Sequence, residues 1–299
     1  MVGEADEHDS CRLAWSIVAT AAILAWPTNA WGGDPFEIQV YNGTTNEPGE
    51  FGLELHLNYW ATGNRESTPP EVPLNGQFHA TLEPSFGLTP FWEVGAYVQF
   101  AVQTDQGVAG WAGAKLRTKF VTPEYWDPHW RFGVNIEVSY LPKDYDASQW
   151  GSELRPIAAW HGPDWLVAVN PIFDQSLASP GASLGPAFAP CAKVARSIGP
   201  VALGIEYYAT FGPGTAFVPW AEESQQIFEV VDLVSVDRLE INAGVGEGLT
   251  QASQGVVLKA IVGYSFERLP TRRKTSEPGA ASKWNGEDVL AQHALWRMR

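Results

Sequence analysis

The sequence predicts an all-β chain: an antiparallel, up-and-down transmembrane barrel of about 12 strands behind an N-terminal signal peptide. Three observations carry this. Long segments alternate apolar and polar residues, aromatic residues bracket the apolar face of most of them, and tight turns alternate with longer loops. Globular strands average about 5–6 residues, whereas tilted membrane strands need about 9–11. Most of the alternating segments here reach ten or more.

The first element is a leader. Residues 1–30 read as a signal peptide, because the apolar run "LAWSIVATAAILAW" is too short to span a bilayer as a helix and Thr28 and Ala30 follow at cleavage spacing. Its n-region departs from the pattern, being acidic with Arg12 as its only strong base. A buried apolar helix is the other reading of that run. Residues 31–50 form an N-terminal periplasmic segment, in which "FEIQVYN" (36–42) is strand-like and could plug, cap or extend a barrel.

The barrel occupies 51–266. Strands are predicted near 51–61, 77–87, 91–103, 109–121, 130–141, 150–161, 164–174, 187–196, 201–211, 225–235, 238–247 and 255–266. In "FGLELHLNYW", Phe51, Leu53, Leu55, Leu57 and Tyr59 take one face, with Glu54, His56, Asn58 and Trp60 on the other. Aromatic pairs such as Phe51/Tyr59, Trp92/Phe100 and Trp130/Tyr140 share a face and bracket their strands, as rings at two headgroup levels do. A soluble sandwich would gather its rings centrally. "GLTP" (87–90), "HGPD" (161–164) and "SIGP" (197–200) are tight turns, and 62–76, 142–149, 175–186 and 212–224 are long loops. An even strand number returns both barrel ends to the periplasm. Residues 267–299 read as a disordered periplasmic tail, in which 287–298 permits a short amphipathic docking helix.

Composition agrees. A formal charge of −15 excludes nucleic acid as a partner, since phosphate binding needs a basic surface. Only two cysteines occur, Cys11 and Cys191, so no internal disulfide framework is expected.

The closing stretch "VVLKAIVGYSF" resembles the last strand of a Gram-negative outer-membrane β-barrel. The stretches "PFEIQVYNGTTNEPGEFGLELHLNY", "LEPSFGLTPFWEVGAY" and "GVNIEVSYLP" are similar to a proteobacterial barrel group akin to phenol meta-pathway and transporter proteins. The resemblance covers roughly 35–266, and its motifs are architectural, without a catalytic signature. It implies a bacterial outer-membrane location, with lipid, the barrel assembly machinery and a small solute as partners.

Candidate site residues follow from strand parity. The polar faces put Glu54, His56, His79, Glu83, Glu93, Lys115, Arg117, Lys119, Arg131, Glu137, Glu153, Arg155 and Glu206 into the lumen. Asp174, Lys193, Glu240 and Lys259 share that parity. A symmetric turn at 87–90 sets Glu93 opposite Ser85 and, one hairpin on, pairs Glu93 with Lys119 while Arg117 reaches Glu83 or Glu93. Such pairs serve as a rigidifying hydrogen-bonded filler or as a selectivity lining, and the run Lys115, Arg117, Lys119 would favour an anion at that wall. His56, His79, Glu54 and Glu83 fall together but lack a known ligand spacing, so no metal and no cofactor is expected. No serine is recognisably activated, and "GVGEGL" (244–249) reads as a hairpin tip, not a phosphate loop.

The expected function is a channel or transporter for small solutes with a mixed-charge lumen, and no enzyme. Two alternatives stand beside it: a lipid-modifying outer-membrane enzyme, and a sealed structural or adhesive barrel acting through its loops.

Overall fold

The computed structural model describes residues 34–67, 69–214, 217–234 and 238–266. The expected leader (1–30) and tail (267–299) lie outside the described residues.

The strands are β1 (Phe51–Trp60), β2 (Phe78–Thr89), β3 (Trp92–Gln103), β4 (Val108–Val121), β5 (Trp130–Tyr140), β6 (Trp150–His161), β7 (Trp165–Asn170), β8 (Phe173–Ser176), β9 (Ala187–Phe188), β10 (Cys191–Ile198), β11 (Val201–Thr210), β12 (Gly212–Pro213), β13 (Ser224–Leu233), β14 (Leu239–Gly248) and β15 (Val256–Phe266). They pair antiparallel with their neighbours around a closed sheet. The seam joins β1 to β15, from Phe51 opposite Phe266 to Trp60 opposite Val257. "VVLKAIVGYSF" is therefore the closing strand. The ring of β1–β7, β10, β11 and β13–β15 closes without an edge, as a chain in hydrocarbon requires, while β8, β9 and β12 form a short branch from β6.

Fifteen pieces make twelve staves, because three neighbouring staves are broken: β7/β8, β9/β10 and β11/β12. The sequence reading ran the first two as single strands, 164–174 and 187–196, and placed 212–213 in the loop after 201–211. Pro171 lies between β7 and β8, and Pro190 between β9 and β10, where a missing N–H ends the ladder. Gly212 takes φ +83° at the third break. The neighbouring β6 pairs with β7 up to Ala158 and with β8 only from Leu154, with Pro156 between.

Burial inverts the pattern of a soluble protein. Outward Leu116, Ile136, Leu154, Ile205 and Leu258 are exposed, Leu116 by 70 %. Inward Glu83, Arg117, Glu137, Arg155 and Glu206 are all 5 % exposed or less. Only lipid around the outside reconciles the two faces. Phe51, Tyr59, Phe78, Phe86, Trp130 and Trp150 are exposed near strand ends, and Phe51 meets Phe266 across the seam at 5.7 Å.

Two readings need correction. First, the turn after β2 falls at residues 90–91, with a bulge between Gly87 and Thr89. The extra residue places Glu93 opposite Gly87 and Ser85 opposite Gly95. Second, the N-terminal segment does not stay in the periplasm. From Asp34 to Asn42 it runs through the barrel interior without joining the sheet, with Phe36, Glu37, Ile38, Val40 and Tyr41 buried. Each buried apolar cluster contains one of its side chains. Phe36 packs on Ala101 and Ala112, and Ile38 on Trp60, Phe228 and Val257. Val40 meets Ala159, Ala168 and Cys191, and Tyr41 meets Val121 and Ile157. The segment is an internal plug. A smaller difference concerns 244–249: Gly244 to Gly248 belong to β14, not to a hairpin tip.

Candidate functional site

The site is the plugged lumen. A plug outside the sheet has backbone groups that no ladder serves, so side chains of the wall must serve them. Asn170 clamps Tyr41, accepting from its N–H at 2.7 Å and donating to its carbonyl at 3.0 Å. Asn58 donates to the Phe36 carbonyl at 3.1 Å, Lys259 to Ile38 at 3.0 Å, and His161 Nε2 to Asn42 at 2.8 Å.

Around the plug the charges form two networks. The first spans β2 to β6. Arg117 bonds Glu83 at 2.6 Å and Glu93 at 2.7 Å, and Lys119 meets Glu93 at 2.9 Å. Lys115 contacts Glu137 at 3.0 Å, Glu37 at 3.4 Å and Asp34 more closely still. Arg155 grips Glu153 through Nε at 2.6 Å and Nη2 at 3.0 Å, and reaches Glu37 at 3.4 Å. The Tyr41 ring lies under Arg155 at 4.5 Å, and its hydroxyl meets Tyr97 at 2.7 Å. Burial raises the pKa of the Tyr41 phenol well above its ordinary value, assisted by Glu37, so it stays neutral in this network.

The second network spans β10 to β15. Lys193 bridges Glu206 at 3.1 Å and Asp232 at 2.7 Å, and Lys259 also bonds Glu206.

The remaining sequence candidates fall as follows. Arg131 lies near the eight-residue connection 122–129, bonding carbonyls of Asp127 and Trp130 and reaching Glu124 at 3.7 Å. Asp174 stands opposite Glu153 in the sheet. Glu240 is exposed and helps line a cavity of about 210 Å³ with Asn46, Glu54, Ser85, Arg238 and Ser265. Of the four residues weighed as a metal cluster, Glu54, His56 and Glu83 come together. His79 does not join them; its ring stacks on Phe36 at 4.1 Å and its Nε2 meets Gln77 at 2.7 Å.

The basic run changes meaning. Lys115, Arg117 and Lys119 each lie against one or more carboxylates, so that wall offers an anion no unclaimed cation. Two of those carboxylates, Asp34 and Glu37, belong to the plug and were not among the sequence candidates. Their signal was present: "DPFEIQVY" alternates apolar Phe36, Ile38 and Val40 with polar Glu37 and Gln39, but nothing local names the partners.

No family model matches the chain, and no curated relative matches it. Solved structures do. An outer-membrane channel from Pseudomonas putida F1 is similar at 11 % identity with a TM-score of 0.55, over 77 % of this chain and 100 % of that one. The fold is that of a bacterial outer-membrane β-barrel. Further likenesses are weaker. The KdgM porin in complex with oligogalacturonate has a TM-score of 0.47 at 11 % identity, over 72 % of this chain and 99 % of that one. The outer membrane phospholipase A of Escherichia coli has 0.41 at 11 %, over 81 % and 96 %.

Proposed function

We propose that this barrel is a channel or transporter for small solutes, in which the 34–42 plug sets whether the lumen conducts. The observation that carries the reading is the construction of the interior: a charged wall closed by a segment outside the sheet and held by side chains. A centre fastened by side chains outside the sheet leaves the barrel wall intact if it moves, which a sealed structural barrel does not need. Selectivity then follows from charge. Eight carboxylates (Asp34, Glu37, Glu83, Glu93, Glu137, Glu153, Glu206 and Asp232) face six cations (Lys115, Arg117, Lys119, Arg155, Lys193 and Lys259) in the ion pairs around the plug. The negative excess comes from Asp34 and Glu37 on the plug itself, so a path past the seated plug favours cations or neutral solutes over anions. The resemblance to phenol meta-pathway and transporter barrels supports uptake of a small organic solute.

The test is single-channel conductance of the full chain in planar bilayers, beside a variant with Asn170→Ala and Tyr41→Ala. A small cation-selective conductance that rises in the variant supports the reading. A folded barrel that stays silent in both forms would sink it in favour of a sealed barrel.

A further inference from the structure

Glu54 on β1 and Glu83 on β2 stand directly opposite each other in the sheet. Like charges in that position repel. The nearest cations do not separate them: Arg117 is divided between Glu83 and Glu93, and Lys119 lies on Glu93. What stands between them is His56, 1 % exposed, whose Nε2 is 3.0 Å from Glu83 Oε2 and 3.5 Å from Glu54 Oε2. The three donor atoms lie within 4.8 Å of one another.

We infer that Glu54, His56 and Glu83 form a binding site for a zinc-class divalent cation on the inner wall. Bonds of about 2.0–2.1 Å in a tetrahedral arrangement set ligand atoms about 3.3 Å apart. The two His56 distances bracket that spacing, and Glu54 and Glu83, whose donor atoms lie within 4.8 Å of each other, close onto an ion by turning their carboxylates. Two carboxylates and one imidazole suit zinc or a neighbouring first-row dication better than magnesium or calcium, which prefer all-oxygen shells. Glu83 can serve both partners at once, because Arg117 takes its Oε1 while Oε2 faces His56. Glu54 also borders the 210 Å³ cavity, which Gly263 keeps open: a Cβ there would come 3.0 Å from Glu54 Cγ and 3.4 Å from Glu240 Cβ. Water or a donor group from a solute in that cavity supplies the fourth ligand, leaving the ion an exchangeable position. The bound ion also ties β1 to β2 beside the seam.

Gln39 of the plug donates to Glu54 Oε2 at 3.3 Å, and zinc binding is read whether or not the barrel conducts. The experiment titrates untagged, chelator-stripped full-length barrel in detergent with Zn²⁺ alone, by calorimetry, with Co²⁺ absorption as a second readout. One equivalent should bind, and Co²⁺ should give the intense visible bands of a four-coordinate site. Either His56→Gln or Glu54→Gln should weaken binding at least about tenfold, since lost ligands cost no less than lost second-shell partners. His129→Gln, at an exposed turn, should leave it unchanged. No saturable binding by folded barrel, or binding removed by His129→Gln and spared by His56→Gln, overturns the site. Should the lumen variants fail to fold, anomalous scattering at the zinc edge from wild-type crystals decides: an ion at His56 Nε2 upholds the assignment, and any other position overturns it.

Discussion

The two charge networks hold the same plug by different means. The β2–β6 network draws plug charges into itself, through Asp34 and Glu37 on Lys115 and Arg155. The β10–β15 network closes on its own residues, two lysines against Glu206 and Asp232, and touches the plug through Lys259 at the Ile38 carbonyl. On that side the plug is held chiefly by apolar contact of Ile38 and Val40. One wall therefore holds it by charge and the other by shape.

Removing a shared cation should show the difference most. Arg117→Ala leaves Glu83 without its guanidinium and Glu93 with Lys119 alone, and breaking a buried pair this way costs about 3–5 kcal/mol. The unboiled barrel should then unfold at lower urea, read by gel mobility. Lys259→Met, in the self-contained network, should cost clearly less, because Lys193 remains on Glu206. Equal losses would collapse the distinction between the walls.

The shape-held side is sharpened by Ile38→Ala. It empties a pocket against Trp60, Phe228 and Val257, at about 2–5 kcal/mol for a large-to-small change. Conductance should rise with little change in selectivity, whereas Glu37→Gln should weaken cation selectivity. Asn170→Ala removes both bonds to the Tyr41 backbone, at about 1–3 kcal/mol, and should raise the open fraction by a smaller amount than Ile38→Ala.

Acid gives the smallest effect. Burial acts to raise the Asp34 carboxyl, but Lys115 holds it below its ordinary 3.8. A lowered carboxylate stabilises above the unfolded-state value and loses that contribution as pH falls through the folded value. Plug release that follows Asp34 should thus begin only below pH 3.8, and Asp34→Asn should remove that step from a conductance titration.

Strand parity made the barrel legible. Side-chain period two assigns Leu116 outward and Arg117 inward without any knowledge of partners. The pairing of Glu93 with Lys119 also followed, because β3 and β4 are joined by a short connection. The Ser85–Glu93 pairing failed on one bulge residue, which a turn motif does not announce. Pro171 and Pro190 were visible breakers inside predicted strands, yet the alternation continued past them. The plug was the least legible part. Its contacts span 129 residues to Asn170 and 221 to Lys259, and no local period encodes such partners.

The way the plug is fastened has a kinetic consequence. A β-ladder opens cooperatively, since each bond is aligned by the next. The carbonyls of Phe36, Ile38, Tyr41 and Asn42 are instead held by four side chains on separate staves. Each fastening can let go while the ladders of the sheet stay closed. Amide deuteration should accordingly enter residues 36–42 through local opening, long before it reaches the amides of β3 and β4.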